Sequence, residues 1–192
     1  MVKVLSVIPD EKGKKYHIDI DEDGKRSSYT VSAEAYAEIG SPVSDLWLDE
    51  YALSVVRYSH ECYLALKRAY YYLGARDRSR LELKNKLTEA GYSSDAAEYA
   101  VLRLTELGYI DEEGQLERAV LREANTSLRG PRLIVDKLRM KGYGSSDIRR
   151  VIDRLVDTGE IDFKENFERL AEKKRVTDDK RYALKYRYGY EF

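Results

Sequence analysis

The feature that most constrains how this chain folds is a pattern that recurs after 51 residues. Short motifs match at this offset: Gly91-Tyr92 with Gly142-Tyr143, and Gly108-Tyr109-Ile110-Asp111 with Gly159-Glu160-Ile161-Asp162. Apolar positions match as well: Ala97, Ala100, Val101 and Leu104 with Ile148, Val151, Ile152 and Leu155. Glycine often ends a helix, and apolar residues spaced three and four apart form one helix face. The pattern therefore predicts a three-helix unit repeated in tandem.

The predicted helices begin at recognisable capping residues. Ser79 opens a capping-box sequence, and Ser93 or Ser94 precedes the next helix. In the second unit Gly130-Pro131 replaces Ser79, and proline suits the first helical position because its missing N–H has no partner there. A third unit begins near Ile161 and is expected to lack its last helix.

The first thirty residues follow a different, strand-like pattern. Apolar and polar residues alternate over 16–20, and a turn sequence spans 21–24. We expect a meander of three short strands within 2–31, a helix over Ser32–Ile39, and helical sequence from Ser44 onward. Three short strands are marginally stable alone, so they are expected to pack on a helix.

These signals predict a mostly α protein of tandem three-helix repeats with a small N-terminal β-meander. The predicted divisions are an N-terminal appendage over 1–58, with the three strands and a helix, and repeats over 59–108, 109–158 and 159–192. The last repeat is incomplete. A chain of 192 residues is long enough to bury a core in this arrangement.

The composition argues against most classes of enzyme and metalloprotein. The single cysteine, Cys62, cannot build a metal cage or an internal disulfide, and the two histidines, His17 and His60, lie far apart in sequence. The sequence has no glycine-rich phosphate loop, no export signal, and no apolar run near the roughly 18 residues of a membrane helix. We therefore expect a cytoplasmic protein that is not an enzyme and has no cofactor or metal, with Cys62 buried.

Basic residues are concentrated in two places, although the net charge is only −1. The candidate partner-binding residues flank Ser79 and the helix that Gly130-Pro131 opens: Arg76, Arg78, Arg80, Arg129, Arg132, Lys137, Arg139 and Lys141. Arg132 and Arg139 are seven positions apart, so both are expected along one exposed stripe. A local basic field suits an acidic partner or a phosphate backbone. The alternative is a solvated face, with the first three arginines paired to Asp77 and Glu82.

Tyrosine is unusually frequent, with 17 residues. Two groups stand out: Tyr70-Tyr71-Tyr72, and Tyr182 with Tyr186, Tyr188 and Tyr190. Exposed rings of this kind stack on nucleic-acid bases, whereas rings between packed helices bridge the core and the solvent. The sequence leaves both interpretations open.

Three longer motifs resemble the bacterial RecX family. They are Leu73-x-x-Arg76-Asp77-Arg78-Ser79-Arg80-x-Glu82-Leu83-x-x-Lys86-Leu87-x-x-x-Gly91-Tyr92, Val101-Leu102-x-Leu104-x-x-Leu107-Gly108-Tyr109-Ile110-Asp111, and Arg129-Gly130-Pro131-Arg132-x-Ile134-x-x-Lys137-Leu138-x-x-Lys141-Gly142. The resemblance covers roughly residues 60–190. The third unit departs from the family pattern because its last helix is missing and Lys185 or Tyr186 aligns with Leu87 and Leu138.

Membership would imply an elongated, curved helical body of three three-helix repeats that regulates RecA, the bacterial recombinase. Proteins of this family bind RecA and its filaments on DNA, limit filament growth, and reduce ATPase and strand-exchange activity. The resemblance thus implies a monomeric regulator with RecA and the RecA–DNA filament as partners, acting mainly as an inhibitor. Two alternatives stay open: a helical module that binds DNA directly, and a helical scaffold for another partner.

Overall fold

Residues 1–191, which the computed structural model describes, form four strands and nine α-helices. The strands are β1 (Val2–Pro9), β2 (Lys15–Glu22), β3 (Lys25–Ser32) and β4 (Trp47–Leu48). The helices are α1 (Ala33–Glu38), α2 (Glu50–Ala75), α3 (Arg80–Glu89), α4 (Ser94–Glu106), α5 (Glu112–Leu121), α6 (Pro131–Met140), α7 (Ser145–Asp157), α8 (Phe163–Lys174) and α9 (Arg181–Tyr188). None of these helices has the length and apolar character needed to cross a membrane. The predicted fold class, mostly α with three-helix repeats and a small N-terminal sheet, is confirmed.

The repeat is visible in the positions of the helices. The first residues of α6, α7 and α8 lie 51 positions after those of α3, α4 and α5. Leu87 and its equivalent Leu138 are both fully buried. Gly91 and Gly142 end their helices with φ of +95° and +93°, and the next backbone N–H donates to Leu87 O in one repeat and to Leu138 O in the other, each at 3.2 Å. The predicted glycine ends of the helices are therefore confirmed.

The N-terminal sheet is antiparallel, with strand order β3-β2-β1-β4. Its inward face packs on α2 through one apolar cluster: Val4, Ile18, Ile20, Val31, Ala35, Leu48, Ala52 and Val56. The predicted turn between β2 and β3 is confirmed, since Asp23 and Gly24 have φ of 55° and 81° and Glu22 pairs with Lys25. The sheet and α2 thus bury their apolar residues against each other.

Two expectations for the segment before α2 are wrong. The sheet has a fourth strand, and helical sequence begins at Glu50 rather than at Ser44. The physical reason is the free edge of β1: Leu48 pairs with Val2, and the Asp45 N–H donates to the backbone oxygen of Val4 at 2.9 Å. These bonds hold the segment extended, so α2 starts only after β4.

The third unit contains α8 and α9, joined by a short 3-10 turn at Asp178–Lys180. Its apolar cluster comprises Leu128, Phe167, Leu170, Ala171, Leu184 and Tyr190. Lys185 takes the position equivalent to Leu138, because the Tyr190 N–H donates to its backbone oxygen at 2.9 Å. The predicted repeat over 159–192 ends at Phe192, which lies outside the described residues.

Contacts between Cα atoms divide the described chain into two compact units. Unit 1 comprises Met1–Arg76 and Leu83–Leu107, and unit 2 comprises Asp77–Glu82 and the chain from Gly108 onward. Helix α2 runs without interruption across the predicted boundary at residue 58. The boundaries at 58, 108 and 158 stay predictions about units of sequence.

Candidate interaction surface

The start of α3 meets the end of α6 at a buried hydrogen bond. The Ser79 hydroxyl, in a residue that is 1% exposed, donates to the backbone oxygen of Lys141 at 2.5 Å. Beside it the chain approaches so closely that a Cβ on Gly142 would lie 2.5 Å from the Cβ of Leu81. This contact forms one junction within unit 2.

The junction brings part of the two predicted basic groups together. Arg78 and Arg80 flank Ser79, and Lys141 supplies the carbonyl that Ser79 binds. Arg80 is neutralised, because its Nε lies 3.1 Å from Glu112 Oε2. Arg78 is half-buried and has an interaction of its own. Arg76 is exposed, has an interaction as well, and belongs to unit 1.

Two of the predicted binding residues contact a buried carboxylate instead of open solvent. Lys137 Nζ lies 2.7 Å from Glu123 Oε1, and Arg129 donates to Glu123 Oε2. Glu123 is only 2% exposed. Burial opposes ionisation of this carboxyl, yet the hydrogen bond from Lys137 and the charge of Arg129 hold its pKa below the ordinary value. Arg129 and Lys137 therefore stabilise the fold of unit 2.

Glu123 is the charged residue that sequence reasoning missed. It lies in a π-helical turn, Arg122–Thr126, which continues α5. The turn has no counterpart in the 51-residue pattern, since α8 runs as a regular helix to Lys174. One signal was available: Glu123 falls three positions after Val120 and four after Ala119, on the apolar face of the helix. A charged residue on such a face needs an ionic partner nearby.

Arg132 is tied to the C-terminal helix α9. Its guanidinium donates to the backbone oxygen of Tyr186 at 2.7 Å, and its Cζ lies 4.8 Å from the centre of the Tyr186 ring. Arg132, Lys185, Tyr182 and Tyr186 line a cleft of about 410 Å³. Of the two arginines in the predicted stripe, Arg132 therefore already contacts Tyr186 of α9 and is not available in the way that the sequence predicted.

Arg139 and Lys141 are the predicted residues whose charge stays available. Arg139 is exposed and Lys141 is half-buried at the end of α6. Within the part of the chain that the structure describes, neither side chain makes an ion pair or a hydrogen bond. The available charge of the candidate surface therefore lies at the end of α6, next to the Ser79 junction.

The C-terminal tyrosines divide into a structural and an exposed pair. Tyr190 is 5% exposed, and its hydroxyl donates to the backbone oxygen of Leu128 at 3.1 Å. Tyr188 is half-buried and packs beside the same cluster. Tyr182 and Tyr186 are 81% and 67% exposed. Tyr188 and Tyr190 therefore pack in the core of unit 2, whereas the rings of Tyr182 and Tyr186 are accessible to a partner.

Among residues 1–191 no group of three or more histidine, cysteine or carboxylate side chains could hold a metal ion. Cys62 is buried as expected, and burial raises the pKa of its thiol. The arrangement offers fixed cations and exposed rings, which are means of binding.

Comparison with known proteins finds relatives of the helical part. The sequence model described as "RecX, first three-helix domain" matches residues 65–104. A curated protein from Stenotrophomonas maltophilia, "Regulatory protein RecX", is 38% identical over 88 residues, which is 46% of this chain and 53% of that protein. The helical part of this chain is thus similar to the RecX family. A further RecX-family relative, from Leuconostoc citreum, is 22% identical over 152 residues, covering 79% of this chain and 56% of its own length.

Two solved structures share the fold of the RecX family with this chain. One, "Crystal structure of regulatory protein RecX", has a TM-score of 0.68 at 22% identity and covers 95% of this chain and 89% of that one. The other, of RecX from Lactobacillus salivarius, has a TM-score of 0.53 at 23% identity over 63% of this chain and 80% of that one. The chain spans about half the length of the curated RecX relatives above.

Proposed function

We propose that this chain binds RecA and the RecA–DNA filament and mainly inhibits filament growth, ATPase activity and recombination. The observation that carries the proposal is the helical repeat: α6, α7 and α8 begin 51 residues after α3, α4 and α5, and residues 65–104, which include α3, match the RecX sequence model. The relatives that share this repeat are named regulatory proteins. A regulator of this kind acts by binding, which agrees with the surface of cations and rings described above.

The contact is proposed to centre on the end of α6. Arg139 and Lys141 have no partner among the described residues, so binding an acidic surface costs them no existing ion pair. Arg78 and Arg80 lie at the adjoining start of α3 within unit 2, but Arg80 is paired with Glu112, so the proposed contact depends on Arg139 and Lys141. To modulate a filament, the chain must bind one of its states more tightly than another.

Direct binding of DNA is the second candidate function. The observation that favours it is the cleft beside Arg132, where the exposed rings of Tyr182 and Tyr186 accompany basic side chains. Rings and cations together bind single strands by stacking and phosphate contact. The net charge of −1 favours the protein partner as the main one.

The proposal is tested with a charge reversal at the open end of α6. Arg139→Glu with Lys141→Glu is expected to leave the melting temperature unchanged and to weaken inhibition of the RecA ATPase about tenfold, because the contact becomes repulsive. The control is Lys12→Glu with Lys25→Glu, which makes the same change in net charge at two exposed lysines of the N-terminal region that form no ion pair among residues 1–191. Inhibition equal to wild type in the α6 variant, or no inhibition by the wild-type chain, contradicts the proposal.

A further inference from the structure

Unit 1 contains a cavity that the proposed RecA function does not use. Its volume is about 520 Å³, and residues from β2, β3, α1, α2 and α4 line it. Cavities that hold small molecules usually fall between about 300 and 1,000 Å³. The volume of this cavity is therefore large enough for a small-molecule ligand.

The wall of the cavity is mainly apolar and aromatic. Val31, Ala35 and Leu66 contribute aliphatic surface, and Cys62 closes one side without being exposed. Four tyrosines also line it: Tyr51, Tyr58, Tyr63 and Tyr99. Aromatic faces carry partial negative charge, so several rings around one space attract a cation with apolar substituents.

Carboxylates add formal negative charge to this wall. Glu34 and Glu38 line the cavity, and the Tyr51 hydroxyl donates to Glu38 at 2.6 Å. A hydrogen bond from its own backbone N–H and one from Ser32 lower the pKa of Glu34, which favours the ionised carboxylate. Arg103, a cation near Glu34, is itself paired with Glu106 at 2.9 Å.

One ring of the cavity already holds an ammonium group of the chain. Lys15 Nζ lies 4.9 Å from the centre of the Tyr63 ring. This geometry is within the roughly 6 Å at which a cation is attracted to a ring face. Lys15 is the one cation among the described residues that line the cavity, so two carboxylates leave this wall with a net negative charge.

We propose that this cavity binds a small organic ammonium ion with an apolar body. The rings and the carboxylates attract the positive charge, and the aliphatic wall accepts the rest of the molecule. An organic anion would face Glu34 and Glu38, and a fully neutral molecule would use only the aliphatic wall. The site is independent of the basic surface in unit 2, so either proposal can fail without the other.

The test compares choline with its neutral carbon isostere, 3,3-dimethylbutan-1-ol, on the full chain. Isothermal titration calorimetry is expected to show choline binding at least about fivefold tighter, since a cation–ring contact contributes about 1 kcal/mol. Tyr99→Leu is expected to weaken choline binding several-fold, whereas Tyr99→Phe retains it because the ring remains. Tyr71→Leu, which removes an exposed ring outside the cavity, is the matched control.

Three results of these titrations would overturn the proposal. Equal affinity for choline and the isostere would mean that the cavity recognises apolar volume alone. An absence of saturable choline binding, or equal weakening by Tyr99→Leu and Tyr71→Leu, would remove the cavity as an ammonium site.

Discussion

The ammonium group of Lys137 lies 2.7 Å from the carboxylate of Glu123, inside unit 2 where Glu123 is almost fully buried. Arg129 contacts the other carboxylate oxygen. Two residues that the sequence marked as candidates for partner binding thus have an internal counter-ion. The exposed positive charge of this region is smaller than its composition indicates.

Removal of both cations is predicted to unfold unit 2 at lower denaturant concentrations. Arg129→Met with Lys137→Met leaves the Glu123 carboxylate buried and unpaired, at an expected loss of about 3–5 kcal/mol at pH 7. The difference in the free energy of unfolding between wild type and this double variant is expected to be smaller at pH 4 than at pH 7. In the wild type, the pKa of Glu123 is lowered, so its contribution to stability decreases as the pH falls. In the double variant, the unpaired Glu123 carboxyl takes up a proton in the folded state, so the cost of burying its charge decreases as well.

Denaturant titrations at both pH values check this prediction. Adding Glu123→Met to the double variant is the control, and it is expected to recover most of the stability because no buried charge remains. Equal losses at pH 7 and pH 4 would show that the ion pair does not stabilise the fold.

The repeat predicts equal consequences for its two equivalent leucines. Leu87→Ala and Leu138→Ala each remove a fully buried side chain, so each is expected to cost about 2–5 kcal/mol. Leu102→Ala, at a residue that is 49% exposed, is the control and is expected to stay within about 0.5 kcal/mol of wild type. Chemical denaturation measures all three, and a buried leucine that behaves like Leu102 would disprove the helix assignment for its repeat.

The equivalent glycines are predicted to differ. Gly91→Ala and Gly142→Ala impose the same left-handed strain, at about 1–2 kcal/mol, since their φ angles are +95° and +93°. At Gly91 an added Cβ meets nothing within 4 Å, whereas at Gly142 it collides with Leu81. Gly142→Ala is therefore expected to cost at least about 1 kcal/mol more. Equal costs in denaturation would contradict the close junction between the start of α3 and the end of α6.

Much of this architecture follows from sequence pattern alone, because helix ends depend on local residues. The glycines at 91 and 142 and the cap at Ser79 are found where the pattern places them. Strand β4 could not be predicted locally, since Trp47 and Leu48 are extended only by pairing with β1. The division of the basic residues also depends on tertiary contacts: Lys137 and Arg139 look alike in sequence, but only Lys137 reaches Glu123.

The contact between α2 and the sheet is predicted to depend on pH through His60. Its Nδ1 accepts a hydrogen bond from the Thr30 N–H at 2.9 Å, and burial lowers the pKa of the ring. An unfolded histidine has a pKa of about 6.5, so the unfolded chain takes up a proton first as the pH falls. Stability is therefore complete above about pH 6.5 and decreases below it.

Denaturation of wild type and His60→Gln between pH 7.5 and 5.5 tests this dependence. His60→Gln is expected to flatten the decrease, because its amide does not titrate in this range. His17→Gln, on the exposed side of β2, is the control and is expected to keep the decrease. A slope that His60→Gln leaves unchanged would exclude His60 as its source.

The central claim, that this chain acts on RecA, is tested most directly by the RecA ATPase rate at two concentrations of single-stranded DNA. The chain is titrated at fixed RecA, with the DNA in excess and then in fourfold greater excess. The account predicts inhibition whose midpoint does not move with the DNA, because the target is RecA. A midpoint that rises in proportion to the DNA, or a rate that the chain does not reduce, would contradict it.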